Sequence, residues 1–275
     1  MATVSKFLKG VLEDDFRTVK MCLSRGMSPN TRYSNGSTVL HNATGKVFTL
    51  LLNSGADPNI DFETRTPAHM AAARMEWDNV ALAITKGADP NAVARHDERE
   101  DPLLFWVAYA MCEKSSFPDF FIEVHWPGSL GNTLNDVDLI RFLVANGAKI
   151  DGTNEKGITP LKEIISGHQD CAELVQLFCE LGADIHAADV DGQTPFELAR
   201  YIASNSKNPG KISAWKIIQA FDQRKVFSRK LVAGVDAPAK ASEKSGRKMF
   251  ETALPEPPRS LLDFMKPMRI DDHFP

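Results

Sequence analysis

Apolar residues recur along this chain at helical spacing, in short blocks that each stop at a glycine. Val137, Ile140, Leu143 and Val144 mark one face of a helix before Gly147. Leu174, Val175, Phe178 and Leu181 do the same before Gly182. A glycine there suits a left-handed C-cap, and Gly26, Gly55 and Gly87 stand at the matching place in earlier blocks. The helices so predicted are short, and one pair is too small to hide its own apolar stripe. Neighbouring pairs must therefore stack.

The polar residues between blocks repeat as well. "GSTVLHNA" from Gly36, "RTPAHMAAA" from Arg65, "EDPLLFWVA" from Glu100, "GITPLKEI" from Gly157 and "GQTPFELA" from Gly192 are versions of one phrase. A second phrase alternates with it: "SRGMSPN", "NSGADPN", "TKGADPN", "ANGAKID" and "ELGADIH". The step is 35 residues from Pro67 to Pro102 and 35 again from Pro160 to Pro195. In the first phrase Thr66 suits a helix N-cap and Pro67 the first turn, while Ala71 and Ala72 admit a close neighbour. An isolated His69 invites a catalytic reading. Its recurrence as His41 favours a local hydrogen bond that ties one unit to the next. Asp57, Asp89 and Asp184, with Asn59 and Asn91, are expected to bond turn backbone.

A period near 33 residues carrying T-P-L-H-x-A is the ankyrin signature, and the chain resembles the ankyrin-repeat family from about residue 1 to 228. It departs from the pattern at three places. Unit two has Val39 for the proline and short helices, unit four has Asp101 for the threonine and a long insertion, and units five and six carry Lys162 and Glu197 for the histidine. The resemblance implies a mainly α fold: an ankyrin-repeat solenoid of about six helix-turn-helix units with short hairpin-like turns, plus an extended C-terminal tail. The first and last units read as end caps. The expected domains are a solenoid over 1–228, with the insertion at 113–136 in unit four, and a linker and tail over 229–275.

Composition adds exclusions. A net charge of −4 leaves no broad electrostatic footprint for nucleic acid. No segment approaches the ~20 apolar residues that span a bilayer, and the N-terminus lacks the apolar run of a signal peptide. Cys22, Cys112, Cys171 and Cys179 form no CxxC and no zinc spacing, so they read as buried thiols in a reducing compartment. A cytoplasmic protein is expected, with a monomer favoured over an oligomer. There is no GxSxG, P-loop, GxGxxG, HExxH or calcium-loop pattern. His96 sits in the charged run "RHDERED", which reads as a solvated loop. Glu163 with Asp170, and Glu173 with Glu180, read as exposed helix faces. No catalytic residue, metal ligand or cofactor is expected.

Recognition remains. The resemblance implies a concave surface made of hairpin tips and first helices, where residues that vary between units read the partner. The matching tip positions include Arg32, Phe62, Glu63, Arg65, Glu155 and Lys156. Phe62 and Arg65 stand out, because an exposed aromatic beside an arginine is typical of an interface hot spot; Phe62 packed on the neighbouring hairpin is the alternative. The insertion holds Phe117, Phe120, Phe121, Ile122, Val124 and Trp126. It is long and too apolar for simple disorder. It either folds back over the second helices or presents an aromatic contact surface. Residues 229–258 read as a linker, after which Leu261, Leu262, Phe264 and Met265 form an apolar turn suited to groove docking. The expected function is a non-catalytic adaptor or scaffold that binds a protein partner through the concave face, insertion or tail. A dedicated inhibitor, such as an immunity protein against one toxin, is the alternative. A secreted effector or an enzyme with an unrecognised site is weaker.

Overall fold

The computed structural model describes residues 3–96, 99–112, 134–167 and 172–233. It divides into two compact units, Met1–Phe221 and Asp222–Pro275. Of the second, only the end of one helix is described, so Phe264 and the rest of the expected tail lie outside the described residues. So do Phe120, Phe121 and Trp126 of the insertion, and Cys171.

Six helix pairs follow one another: α1 (Val4–Leu12) and α2 (Phe16–Ser24); α3 (Val39–Asn42) and α4 (Gly45–Asn53); α5 (Pro67–Ala73) and α6 (Trp77–Thr85); α7 (Leu103–Cys112) and α8 (Asp136–Ala145); α9 (Pro160–Ser166) and α10 (Ala172–Glu180); α11 (Pro195–Asn205) and α12 (Pro209–Ala233). The first helices form one layer, each of α1, α3, α5, α7, α9 and α11 packing on the next. α2, α4, α6 and α8 form a second layer behind it. α12 runs to Ala233, past residue 228.

The core lies between the layers, around Phe7, Leu40, Phe48, Leu51, Phe105, Leu161 and Phe178. α7 is flanked by α5, α9 and α8, and all of it except Tyr109 is buried. It therefore shows no polar face in sequence. The cap glycines have the conformation their position requires, Gly87 and Gly147 both with φ near +95°. Cys22, Cys112 and Cys179 are buried.

The second repeated phrase bonds units together more than it bonds its own turn. Asn59 Oδ1 accepts from Asp89 N at 2.8 Å and its Nδ2 donates to Gly87 O at 2.8 Å. Asn91 repeats this with Lys149 N and Gly147 O, both at 2.9 Å. Asn30 and Asp151 accept from Asp57 N and Asp184 N. The aspartates Asp57, Asp89 and Asp184 bond their own turns, as expected. Asn59 and Asn91 bond turn backbone as expected, but that of the next unit: they form a ladder between units, and it crosses unit four despite the insertion there.

Unit two is short in its first helix only; α4 has nine residues. Missing turns leave helix carbonyls without partners. Here the next unit supplies them. Arg74, beyond the end of α5, donates to His41 O at 3.1 Å and to Ala43 O at 3.0 Å. Glu76 holds the guanidinium at 3.3 Å and is itself held by Asn79. Burial raises the Glu76 carboxyl pKa, against the pull of Arg74.

Candidate protein-binding surface

The loops joining one pair to the next turn back as hairpins, side by side, and each has its own local reason. In unit two, Tyr33 N donates to Ser37 O at 2.8 Å and Arg32 pairs with Thr38 across the turn. In unit three, Phe62 and Arg65 exchange backbone bonds at 2.8 and 3.0 Å around Glu63 and Thr64. Those two central residues have φ of 49° and 64°, the left-handed pair that a two-residue hairpin turn demands. Thr64 is β-branched and strained there. Its Oγ1 accepts from Arg95 N at 2.8 Å, in the next unit's hairpin.

That next hairpin corrects the reading of "RHDERED" as a solvated loop. β1 (Val93–His96) and β2 (Arg99–Pro102) pair antiparallel, with Ala94 opposite Asp101. The signal was a spacing: ten positions separate Asn91 from Asp101, against seven from Asn59 to Thr66. Both edges of the hairpin are met by neighbours, β1 by Thr64 and β2 by Glu155, whose Oε2 accepts from Glu100 N at 2.5 Å. Asn154 reaches Asp101 at 3.3 Å. Between units five and six, Val190 N donates to Lys156 O at 3.0 Å. A Cβ on Gly157 would come within 3.1 Å of the Asp189 backbone, so glycine permits this approach.

Among the expected contact residues, Arg32, Glu63, Glu155 and Lys156 are exposed on this row. Arg32 also donates to Gly36 O at 2.6 Å, which stiffens its stem. Phe62 is not the exposed aromatic that a hot spot needs. It is half-buried, edge-on to His41 at 6.0 Å and against Gly36 of the preceding hairpin. Arg65 beside it is half-buried too. Sequence reasoning missed Val93 and Arg95 on the longer hairpin and Tyr201 on α11, which is 66 % exposed.

The repeated histidines sit under these tips. His41 Nδ1 accepts from the Thr38 hydroxyl at 2.7 Å, and Nε2 donates to Arg65 O of unit three at 3.1 Å. It closes its own helix cap and ties two units. His69 makes the first contact, with Thr66 Oγ1 at 2.8 Å. The second is absent: Nε2 is buried without a hydrogen-bond partner, and the ring stands edge-on to Trp106 at 5.7 Å. The inter-unit tie expected of both histidines is a formed hydrogen bond at His41, while His69 only comes up against the Ala92 backbone that leads into the next unit. Complete burial pushes the His69 pKa down to about 3, with Arg65 adding to the effect and the nearby Ala92 backbone opposing it. His41 is lowered by the same cause.

In units five and six other groups occupy this position. Lys162 Nζ donates to Gln193 O at 3.0 Å and pairs with the Asp189 carboxylate. Gln193 precedes its capping threonine as Arg65 does, so Lys162 reaches the counterpart of the carbonyl that His41 reaches. The hydrogen bond from Lys162 holds the Asp189 carboxyl below the usual range. Glu197 instead closes a capping box with Thr194. Among the described residues no group of three or more His, Cys, Asp or Glu side chains is placed to hold a metal ion. No helix among them is long and apolar enough to cross a membrane.

No family model matches the chain. Similarity to individual proteins is clear. The chain is 24 % identical over 163 residues to the ankyrin repeat protein FPV222 of Fowlpox virus (strain NVSL), a match covering 58 % of this chain and 18 % of that protein. It is 28 % identical over 145 residues to the B-cell lymphoma 3 protein homolog of Mus musculus, covering 52 % of this chain and 26 % of that one. A second Fowlpox virus ankyrin repeat protein, FPV230, is 27 % identical over 160 residues, covering 53 % of this chain and 80 % of its own length. The chain thus spans only a minor part of the first two relatives. In fold it is similar to an ankyrin repeat domain from Acinetobacter baumannii AYE, with a TM-score of 0.61 and 23 % identity over 78 % of this chain and 97 % of that one. With its repeated helix pairs, hairpin row and asparagine ladder, the chain has the fold of an ankyrin-repeat solenoid.

Proposed function

We propose that this protein is a non-catalytic adaptor that binds another protein through its row of hairpin tips and the first helices beside them. One observation carries the reading. The tips are braced to one another through Thr64, Glu155 and the Lys156 carbonyl, while the side chains they present differ from unit to unit. Arg32, Glu63, Arg95, Lys156 and Val190 are exposed on a backbone already ordered, so little conformational entropy is lost on binding. The charges of both signs favour a polar, charge-complementary partner surface over a purely apolar groove. An adaptor of this kind acts as a cytoplasmic monomer over residues 1–228, with residues 229–275 and Phe264 as its second attachment.

The test is capture of partners on immobilised full-length protein, beside the variant Arg32→Glu/Glu63→Lys/Lys156→Glu. Loss of the captured protein with an unchanged melting temperature supports the reading. Undiminished capture by the variant overturns it.

A further inference from the structure

The sequence contains two Asn-Gly pairs, Asn35-Gly36 and Asn146-Gly147. Such a pair can cyclise, because a glycine amide nitrogen meets little steric hindrance on its way to the preceding carboxamide. Both asparagines are exposed, and both glycines have positive φ, Gly36 at 93° and Gly147 at 95°. Both glycine N–H groups donate to the carbonyl three residues back at 3.0 Å. What separates the two pairs is the direction of the carboxamide. Asn146 Nδ2 donates backward, to Phe142 O at 2.8 Å in the last turn of α8, which holds the group away from Gly147 N. Asn35 Oδ1 points forward and accepts from Ser37 N at 3.1 Å. For that bond to form, Cγ must lean over the Asn35–Gly36 peptide, which is the direction of ring closure.

The forward geometry also supplies catalysis. Attack of Gly36 N on Asn35 Cγ pushes negative charge onto Oδ1. That oxygen already has two donors, Ser37 N and the Ser37 hydroxyl, the latter at 2.8 Å. Both lie at the distance of oxyanion stabilisers. Ser37 is buried, and its Oγ accepts from Asn42 Nδ2 at 3.0 Å, which fixes the hydroxyl toward Asn35. Arg32 Nη1 donates to Gly36 O at 2.6 Å, so a positive charge stands beside the nitrogen that must give up its proton. We infer that Asn35 is a site of self-catalysed deamidation, with Ser37 as its oxyanion donor and water as the only co-reactant. Gly36 N loses its proton to solvent and bonds to Cγ. The side-chain nitrogen is expelled and leaves as ammonia, with a proton from solvent. Water then opens the resulting succinimide at either carbonyl, leaving aspartate or isoaspartate at position 35. Either product puts a carboxylate on the tip that carries Arg32, and isoaspartate adds one methylene to the hairpin backbone. The chemistry is independent of what the tips bind.

Peptide mapping by mass spectrometry reads both sites in one digest, after the purified full chain has aged in mildly alkaline buffer. Asn35 should convert about tenfold faster than Asn146 in the folded protein, to both aspartate and isoaspartate. In denaturant the two rates should converge, with that of Asn35 falling. Ser37→Ala removes the hydroxyl donor and keeps the backbone one. It should slow conversion of Asn35 about tenfold in the folded chain and leave the denatured rate unchanged. The inference is overturned if Asn146 converts as fast as Asn35 in the folded protein, or if denaturation accelerates Asn35, which would make the hairpin a protector. It is also overturned if Ser37→Ala, with an unchanged melting temperature, leaves the rate unaltered. The first two comparisons use the parent alone, so they decide even where the variant is destabilised.

Discussion

Two contacts between adjacent units meet the same demand with different chemistry. In two units the backbone carbonyl just before the capping threonine meets a side chain of the preceding unit. Between units two and three a neutral imidazole of His41 donates to Arg65 O. Between units five and six the ammonium of Lys162 donates to Gln193 O. The ring carries no charge and needs no counterion. The ammonium is just as buried, its side chain 6 % exposed, and it has Asp189 beside it at 7 %. A buried charge is tolerated only when paired. The histidine solution therefore needs one residue, whereas the lysine solution needs two, on different units.

The largest effect should come from breaking the two-residue solution. Asp189→Asn keeps an acceptor for the Asp191 and Gln193 N–H groups that Asp189 Oδ1 now serves. It leaves Lys162 buried without a counterion, which should cost about 3 kcal/mol in a denaturant titration. Lys162→His together with Asp189→Asn transplants the unit-two solution and should recover most of the loss. If the double variant is no better than Asp189→Asn alone, the equivalence of the two contacts is wrong.

Acid should separate the contacts with slightly smaller effect. His69 has a folded pKa of about 3, well below its unfolded value. The unfolded chain therefore binds the extra proton first, and stability is lost as pH falls below about 6.5, until the folded pKa is reached. By pH 4.5 the loss from His69 should be about 2.5 kcal/mol, with His41 acting in the same direction. Asp189, whose pKa is lowered on folding, loses its contribution only below the ordinary carboxylate range. Glu76 and Asp14 have raised pKa values, so their protonation on acidification works in the opposite sense. Comparing the pH slope of the parent with that of His69→Gln removes these shared terms. Equal slopes between pH 6.5 and 4.5 would show that His69 is not held neutral.

The repeat was legible because its punctuation is local: Thr66 and Pro67 start a helix and Gly87 ends one, wherever they occur. What stayed hidden depends on residues far apart. The short α3 is legible only together with Arg74, which lies in the next unit and reads alone as an ordinary surface arginine. His41 and His69 stand in one phrase, and nothing within that phrase tells them apart. The difference lies in what the following unit brings to each ring: the Arg65 carbonyl to His41, and the Trp106 ring to His69. Phe62 is an aromatic at a turn, and its half-burial follows from Gly36 in the turn before it, whose lack of a side chain leaves room for the ring. The pattern marks these residues as turns, but their exposure is set between repeats.

Arg74→Met sharpens this point at the truncated helix. It retains much of the stem and removes the donors to His41 O and Ala43 O. It also leaves Glu76 in a buried site without its cation, so that carboxyl should take up a proton more readily. The loss should be about 2 kcal/mol, and smaller at pH 5 than at pH 7. Combining it with Glu76→Gln should restore part of the stability at pH 7. A cost independent of pH would mean that packing of the arginine stem, and not the charge, is what matters.

The smallest effect lies at the tip of unit three. Thr64 holds a left-handed conformation that costs a β-branched residue about 1 kcal/mol or more. Its hydroxyl offsets this by accepting from Arg95 N. Thr64→Gly relieves the strain and loses the bond, so overall stability should change by less than about 0.5 kcal/mol. Thr64→Val keeps the shape and the strain but not the bond. Arg95 N is near solvent and water can replace the hydroxyl, so the global loss should be only about 0.5 to 1 kcal/mol. The local consequence is larger than the global one. Exchange of the Arg95 amide should accelerate in both variants, and the β1–β2 hairpin should gain mobility relative to its neighbours. If Thr64→Val leaves that amide as protected as in the parent, the hairpin is braced from the Glu155 side alone, and the row of tips is less rigid between units three and four than between four and five.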